Sequence, residues 1–189
     1  VAFHWYASND QNRPFLETLA ESFPDKFLLS TEACQGHPGK EKVLLGDWGI
    51  FNHYADDIIK VLNFYSTGWV DWSMVQDLQG GPNWVNNFVD SAVIVNETSH
   101  EYYKQPFFYA LGHFSKFLVP DSTRVQHLSH ATEHPENLLV TVFERPDNGT
   151  VVTVLNKNTH PVTLQLNDPQ RGHLQAEVLA ESLESLIYY

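Results

Sequence analysis

Basic residues are scarce in this chain: 11 lysines and arginines stand against 23 aspartates and glutamates in 189 residues, for a formal net charge of −12. An acidic surface repels phosphate groups, which argues against nucleic acid and anionic lipid as direct partners. Cys34 is the only cysteine, so no internal disulfide can form. No apolar run approaches the roughly 20 residues of a membrane-spanning helix, and we expect no transmembrane segment.

Several motifs of common enzymes are missing as well. The sequence has no glycine-rich phosphate loop and no Gly-x-Ser-x-Gly nucleophile elbow. Histidine is frequent, with ten residues, and an acidic chain with many histidines suits a compartment of about pH 5. His127, His130 and His134 suggest a metal site, but an alternating backbone would place the first two on opposite faces. We therefore expect a solvated turn there and no metal.

The periodicity of the sequence changes once. Residues 1–119 alternate short apolar strands with helical stretches, which is typical of a parallel α/β array. Residues 120–189 alternate β-forming runs with turn residues, which predicts an all-β domain, most simply a sandwich. A complete (β/α)₈ TIM barrel needs about 250 residues, so residues 1–119 can supply only part of one. Because Val1 has the character of mid-strand sequence, we interpret the chain as the C-terminal portion of a longer protein.

The same patterns predict the individual elements. The first domain has predicted strands at residues 1–6, 26–31 and 69–75, a short apolar stretch at 92–95, and helices from Pro14, over 47–65 and from Pro106. The second has predicted strands at 138–144, 151–156, 161–166, 174–179 and 182–189, with a further sandwich strand supplied from elsewhere.

One carboxylate is distinguished by its position. Glu32 follows the apolar run Phe27-Leu28-Leu29, at the predicted end of a strand. The carboxyl ends of barrel strands are where this fold keeps its catalytic groups. An ion-paired or helix-capping carboxylate would fit the same spacing, so position alone leaves both interpretations open.

Three segments, in this order, resemble one known family. They are Leu29-Ser30-Thr31-Glu32-Ala33-Cys34, Gly68-Trp69-Val70-Asp71-Trp72 and Gly80-Gly81-Pro82-Asn83-Trp84-Val85-Asn86-Asn87-Phe88. Together they are similar to the acid β-glucosidase (glucosylceramidase) family of retaining glycoside hydrolases. The resemblance implies the last part of a TIM barrel followed by a β-sandwich. It also implies hydrolysis of glucosylceramide to glucose and ceramide by double displacement.

The resemblance assigns a role to Glu32 and to its strand neighbours. Glu32 matches the nucleophile, and the acid/base carboxyl belongs to an earlier strand, before Val1, so these 189 residues alone are expected to be inactive. Tyr6 matches a residue that hydrogen-bonds near the nucleophile, and Trp5 one that lines the sugar site. Aromatic strand residues also pack cores frequently, so packing is the competing interpretation of Trp5 and Tyr6.

Two further sugar-site residues come from the later segments. Trp72 matches the platform for the glucose ring, and Asn87 an amide that suits sugar hydroxyls because it both donates and accepts. Asp71 is expected to support the site as an acceptor rather than to catalyse. Residues 35–40 lack the bulky aromatics that vertebrate members carry after the nucleophile, which predicts a more polar pocket entrance.

The family also implies partners and a location. These are a saposin-type activator, an anionic lipid surface, and no metal or organic cofactor, in a lysosomal protein that is peripheral to the membrane. The sequons at Asn96 and Asn148 are glycan acceptors on the secretory route to that compartment. Two alternatives stay open: a non-catalytic carbohydrate-binding remnant, and a related β-glycosidase with another substrate, such as a xyloside.

Overall fold

The computed structural model describes residues 1–36, 42–130 and 134–189. The chain divides into two compact units, Val1–Leu111 and Gly112–Tyr189. Strands alternate with helices in the first unit, and strands dominate the second, so the predicted α/β part followed by an all-β part is confirmed. No helix within the described ranges is both long and apolar enough to cross a membrane. The polar entrance predicted at 35–40 falls mostly outside the described residues.

The first unit contains six strands and the helices that connect them. In chain order these are β1 (Ala2–His4), α1 (Pro14–Ser22), β2 (Leu28–Glu32), α2 (Trp48–Asn63), β3 (Ser66–Trp69), β4 (Val75–Asp77), β5 (Val93–Asn96), β6 (Glu101–Lys104) and α3 (Pro106–Phe117), the last of which continues into the second unit. Strands β1, β2 and β3 form one parallel sheet in that order. Strand β5 pairs parallel with β4 and antiparallel with β6.

Helix α2 begins and ends for local reasons. Asp47 precedes it, and its Oδ1 accepts a hydrogen bond from the Ile50 backbone N–H at 2.8 Å, which satisfies one of the free donors of the first turn. Apolar side chains at three- and four-residue spacing are buried along one face, with Tyr54 and Ile58 among them. Tyr65 then adopts a left-handed φ of 68° and turns the chain into β3. The helix therefore stops before Gly68, the predicted terminator.

Two strand predictions in the first unit need correction. The strand predicted at 69–75 is misplaced, because β2 pairs with Ser66–Trp69 and Val75–Asp77 belongs to the other sheet. The apolar residues Val70 and Trp72 that suggested a strand are exposed. Strand β6 was not predicted, since Glu-Tyr-Tyr-Lys does not alternate. The first predicted strand is also shorter, as β1 gives way to a 3-10 turn at Trp5–Ala7.

The second unit follows the sequence prediction closely. Its strands are β7 (Thr123–Arg124), β8 (Leu138–Glu144), β9 (Thr150–Asn156), β10 (Val162–Asp168), β11 (Gly172–Val178) and β12 (Ser182–Tyr188). Antiparallel pairing gives a sheet in the order β12-β9-β8-β7 and a β10–β11 hairpin. Val142, Val152 and Val154 pack with Val178 of the hairpin in a core that joins the two layers. All five strands predicted after residue 137 begin and end within two residues of those observed.

Candidate active site

Glu32 is the last residue of β2, and the neighbouring strand β1 holds its carboxylate. The Tyr6 hydroxyl, just past the end of β1, donates a hydrogen bond of 2.8 Å to Glu32 Oε1. His4 Nδ1 lies 3.8 Å from the same oxygen. Glu32 Oε2 has no hydrogen-bond partner within the described ranges, and the side chain is 34% exposed. One carboxylate oxygen is thus fixed and the other is left open.

Tyr6 and Cys34 keep their protons at this position. Burial raises the pKa of Tyr6 well above its usual range, and its contacts with Cys34 and Glu32 raise it further. The Cys34 sulfur lies 3.3 Å from the Tyr6 oxygen. Burial is also the main cause of the raised pKa of the Cys34 thiol. A neutral hydroxyl and a neutral thiol therefore flank the Glu32 carboxylate.

Trp5 faces the interior. Its indole is only 7% exposed, stacks on His53 of α2 with 4.3 Å between ring centroids, and meets Tyr54 and Trp69 edge-on. Burial lowers the pKa of His53 and favours the neutral ring. This geometry supports the packing interpretation of Trp5, and direct contact of Trp5 with sugar stays a prediction.

Trp72 is joined to Glu32 through the backbone. Its N–H donates to the carbonyl of Ala33, the residue after Glu32, at 2.7 Å. The indole itself is 47% exposed. The same arrangement leaves an aromatic face free beside the segment that carries the carboxylate.

Asn87 lies on the long loop between β4 and β5. The side chain of Asn83 holds its backbone, accepting from the Asn87 N–H at 3.2 Å and donating to the Asn87 carbonyl at 2.8 Å. The Asn87 side-chain amide is exposed and makes no hydrogen bond with the part of the chain that the structure describes. Asn87 does not touch Glu32 directly, and its role with sugar stays a prediction.

Asp71 is a half-buried acceptor that follows β3. Tyr54 donates to Asp71 Oδ1 at 2.9 Å, whereas Oδ2 is buried without a partner in the described ranges. Burial raises the pKa of Asp71 to about 7, against the opposing hydrogen bonds from Tyr54 and the Trp72 backbone. A supporting acceptor role agrees with this position. The helical spacing of apolar residues predicted the buried face of α2. No sequence signal showed that His53 and Tyr54 of this helix contact residues at the ends of β1 and β3.

No group of three or more histidines, cysteines, aspartates or glutamates in residues 1–36, 42–130 and 134–189 could hold a metal ion. His134 instead contacts Glu136, with Nδ1 to Oε1 at 3.2 Å.

The chain matches the two domains of one known family. The models of the glycosyl hydrolase family 30 TIM-barrel domain and β-sandwich domain match residues 1–118 and 121–186, respectively. The mouse lysosomal acid glucosylceramidase is 38% identical over 192 residues, covering 100% of this chain and 36% of that protein. These matches confirm the resemblance drawn from the three motifs and the predicted fold class.

Solved structures agree on the fold. SrfJ from Salmonella typhimurium aligns with a TM-score of 0.86 at 22% identity, over 99% of this chain and 40% of its own. An endo-β1,6-glucanase aligns with a TM-score of 0.82 at 20% identity, over 98% of this chain and 40% of its own. The chain spans about a third of the length of the curated relatives it matches, for example 32% of one and 36% of another.

Proposed function

Because the chain belongs to glycosyl hydrolase family 30, we propose that the protein containing it hydrolyses the β-glucosidic bond of glucosylceramide with retention of configuration. Glu32 is the nucleophile in this proposal. The acid/base carboxyl lies on residues that precede Val1. The observation that carries the assignment is the Glu32 carboxylate at the end of a parallel strand, held by the Tyr6 hydroxyl at 2.8 Å.

The hydrogen bond from Tyr6 determines which oxygen attacks. Since Oε1 accepts from Tyr6, Oε2 is the oxygen that forms the bond to the anomeric carbon. A second carboxylic acid about 5 Å away protonates the departing glycosidic oxygen as the carbon–oxygen bond breaks. Ceramide leaves, and glucose stays as an ester of Glu32. The second carboxyl, now a carboxylate, takes a proton from water, whose oxygen displaces Glu32 and releases β-glucose.

The sugar is bound by groups around this carboxylate. The exposed face of Trp72 packs on the C–H groups of glucose, and the free amide of Asn87 donates to and accepts from hydroxyls. The buried cluster around Trp5 fixes the end of β1, from which Tyr6 projects. In this proposal these residues bind the glucose part of the substrate, and the pocket entrance selects the aglycone.

The wider setting of the protein is part of the same proposal. The 38% identity to the mouse lysosomal acid glucosylceramidase supports a lysosomal location, and a position peripheral to the membrane is part of the proposal. The resemblance adds an anionic lipid surface and a saposin-type activator as partners; the acidic composition of the chain itself gives no support for the lipid. Asn96 and Asn148 carry glycans in a protein that takes the secretory route.

Covalent labelling tests the nucleophile. In the full-length protein that carries this chain, a β-configured cyclitol epoxide is expected to label the peptide containing Glu32. Glu32→Gln is expected to lose both labelling and turnover of glucosylceramide, because an amide is a poor nucleophile. Label on Asp71, or turnover that survives Glu32→Gln, would refute the assignment. A β-xyloside cleaved faster than a β-glucoside would favour the related β-glycosidase instead.

A further inference from the structure

Two loops of the first unit meet beside Glu32. The nucleophile loop, residues 33–47, joins β2 to α2, and residues 33–36 and 42–47 of it are described. The Asn87 loop, residues 78–92, joins β4 to β5. Near its end, the Asp90 backbone N–H donates to the Gln35 carbonyl at 2.9 Å. Asp90 Oδ2 accepts from the Leu44 N–H at 3.0 Å. A single residue of one loop thus holds both ends of the other.

Gln105, the residue before α3, completes this contact. Its Oε1 accepts from the Gly46 N–H at 2.9 Å, and its Nε2 donates to Asp90 Oδ1 at 3.0 Å. The Ser91 N–H donates to the same Asp90 oxygen at 2.8 Å. Asp90 and Gln105 are each only 1% exposed. We call this pair of side chains the clamp.

A buried carboxylate is costly, since it gives up water for a few hydrogen bonds. Burial accordingly raises the pKa of Asp90, opposed by the hydrogen bonds from Leu44, Gln105 and Ser91. A small apolar residue would avoid this cost but would leave the backbone N–H groups of Leu44 and Ser91 and the Gln105 amide without the acceptor that Asp90 supplies. The geometry that Asp90 imposes is therefore the physical reason for a carboxylate here.

The two loops are also in backbone contact at Gly36. This residue has a φ of 96°, and a Cβ on it would lie 2.9 Å from Val89 Cα and 3.0 Å from the Asp90 nitrogen. Only glycine fits such an approach without displacing one loop. The hydrogen bonds of the clamp and this close packing act at the same place.

We propose that Asp90 and Gln105 are positioning residues, which lock the nucleophile loop and the Asn87 loop into one unit. The inference rests on the proposed function, because it concerns the placement of Glu32 and Asn87. Gln35 lies three residues after Glu32, and Asp90 three residues after Asn87. The clamp fixes the nucleophile relative to the amide that binds sugar, without touching the substrate.

The test compares isosteric variants of the full-length protein. Asp90→Asn replaces one accepting oxygen by an NH₂ group, which then faces a hydrogen-bond donor. Gln105→Met removes the hydrogen bonds to Gly46 and Asp90. Asp77→Asn is the matched control, because Asp77 Oδ1 accepts from the Gln79 and Gly81 N–H groups of the Asn87 loop and makes no hydrogen bond to the described residues of the nucleophile loop. The readout is the first-order rate constant for labelling of Glu32 by the cyclitol epoxide, measured on the fraction of protein that becomes labelled.

The clamp variants are expected to label about 10- to 100-fold more slowly, as small misplacements of reacting groups do. The double variant is expected to be within about threefold of the slower single variant, since the two side chains act together. The Asp77→Asn control should retain the rate of the unmodified protein. A lower labelled fraction at an unchanged rate constant would show a purely structural role and overturn the proposal.

If both clamp variants fail to fold, amide hydrogen exchange of the unmodified protein tests whether the clamp exists in solution. The Leu44 and Gly46 amides should exchange much more slowly than those of unbonded loop residues. Exchange at ordinary loop rates would overturn the clamp. If the unmodified protein is not labelled at Glu32, the proposed function is refuted. If it is labelled and the clamp variants are labelled at the same rate, only this inference is refuted.

Discussion

Replacing Tyr6 by phenylalanine is expected to slow hydrolysis of the glucose ester of Glu32, the second step, more than formation of that ester, the first step. The Tyr6 hydroxyl donates to Glu32 Oε1 at 2.8 Å. When Glu32 is a free carboxylate this oxygen is charged, and when Glu32 carries glucose it is the neutral carbonyl of an ester. A hydrogen bond stabilises the charged form more strongly. Charge returns to Glu32 during the second step, so Tyr6 assists that step selectively.

The magnitude follows from the two hydrogen-bond strengths. A hydrogen bond to a charged group contributes about 1.5–3 kcal/mol and one between neutral groups about 0.5–1.5 kcal/mol. Tyr6 is 54% exposed, so we discount the difference to about 1 kcal/mol for solvent screening. That free energy corresponds to a factor of about 5 in rate. The second step should therefore slow about fivefold relative to the first in Tyr6→Phe.

Pre-steady-state kinetics of the full-length protein measures this ratio. With a β-glucoside that has a good leaving group, kcat reports the second step and kcat/KM the first, and the variant should show a larger burst of aglycone. The matched control is Tyr188→Phe, which removes a tyrosine-to-carboxylate bond of 3.1 Å to Asp168 in the second unit. Equal losses in kcat and kcat/KM, without a burst, would show that Tyr6 only orients Glu32 and would refute the reasoning.

Three further outcomes are expected. The pKa of Asp71 is raised to about 7, so between about pH 4 and 7 the folded protein keeps a proton on this residue that the unfolded chain has lost, and stability falls as pH rises through that window. The midpoint of thermal unfolding should therefore depend less on pH in Asp71→Asn, and an unchanged pH dependence would contradict this prediction. Asn148 is exposed at a turn, whereas Asn96 Nδ2 donates to Tyr103 at 3.1 Å; glycopeptide analysis from animal cells should find the sequon at Asn148 more fully occupied, and the reverse order would contradict this. The isolated 189-residue chain should not turn over a fluorogenic β-glucoside, because the proposed acid/base carboxyl is not among its residues; saturable turnover that depends on Glu32 would contradict that expectation.

The sequence predicted best where one local rule determines the structure. The strands after residue 137 alternate regularly between clear turns such as Asp147-Asn148-Gly149, and their ends were placed within two residues. Pro14 and Pro106 marked the starts of α1 and α3 for a similar reason, since proline fits the first helical turn. Glu32 stands at the end of β2, as its position after an apolar run predicted; its role as nucleophile stays a prediction.

The sequence predicted least where contacts are distant along the chain. Nothing near Asp90 shows that it binds Leu44, because 46 residues separate them. The displaced strand at 69–75 has the same cause: Val70 and Trp72 have the composition of a strand, and only pairing with β2 shows that β3 ends at Trp69. Such pairings depend on tertiary structure, which local propensity does not report.

Helix α2 shows how the candidate site depends on those distant contacts. His53 stacks under Trp5 at the end of β1, and Tyr54 donates to Asp71 after β3. One turn later, Asp57 Oδ2 accepts from the indole nitrogen of Trp69 at 2.9 Å. These three side chains lie on one helical face, so the ends of two strands that flank β2 are fixed to a single rigid element. A shift of α2 would therefore move both neighbours of the Glu32 strand together, and the spacing around the carboxylate is determined by helix packing as much as by the sheet.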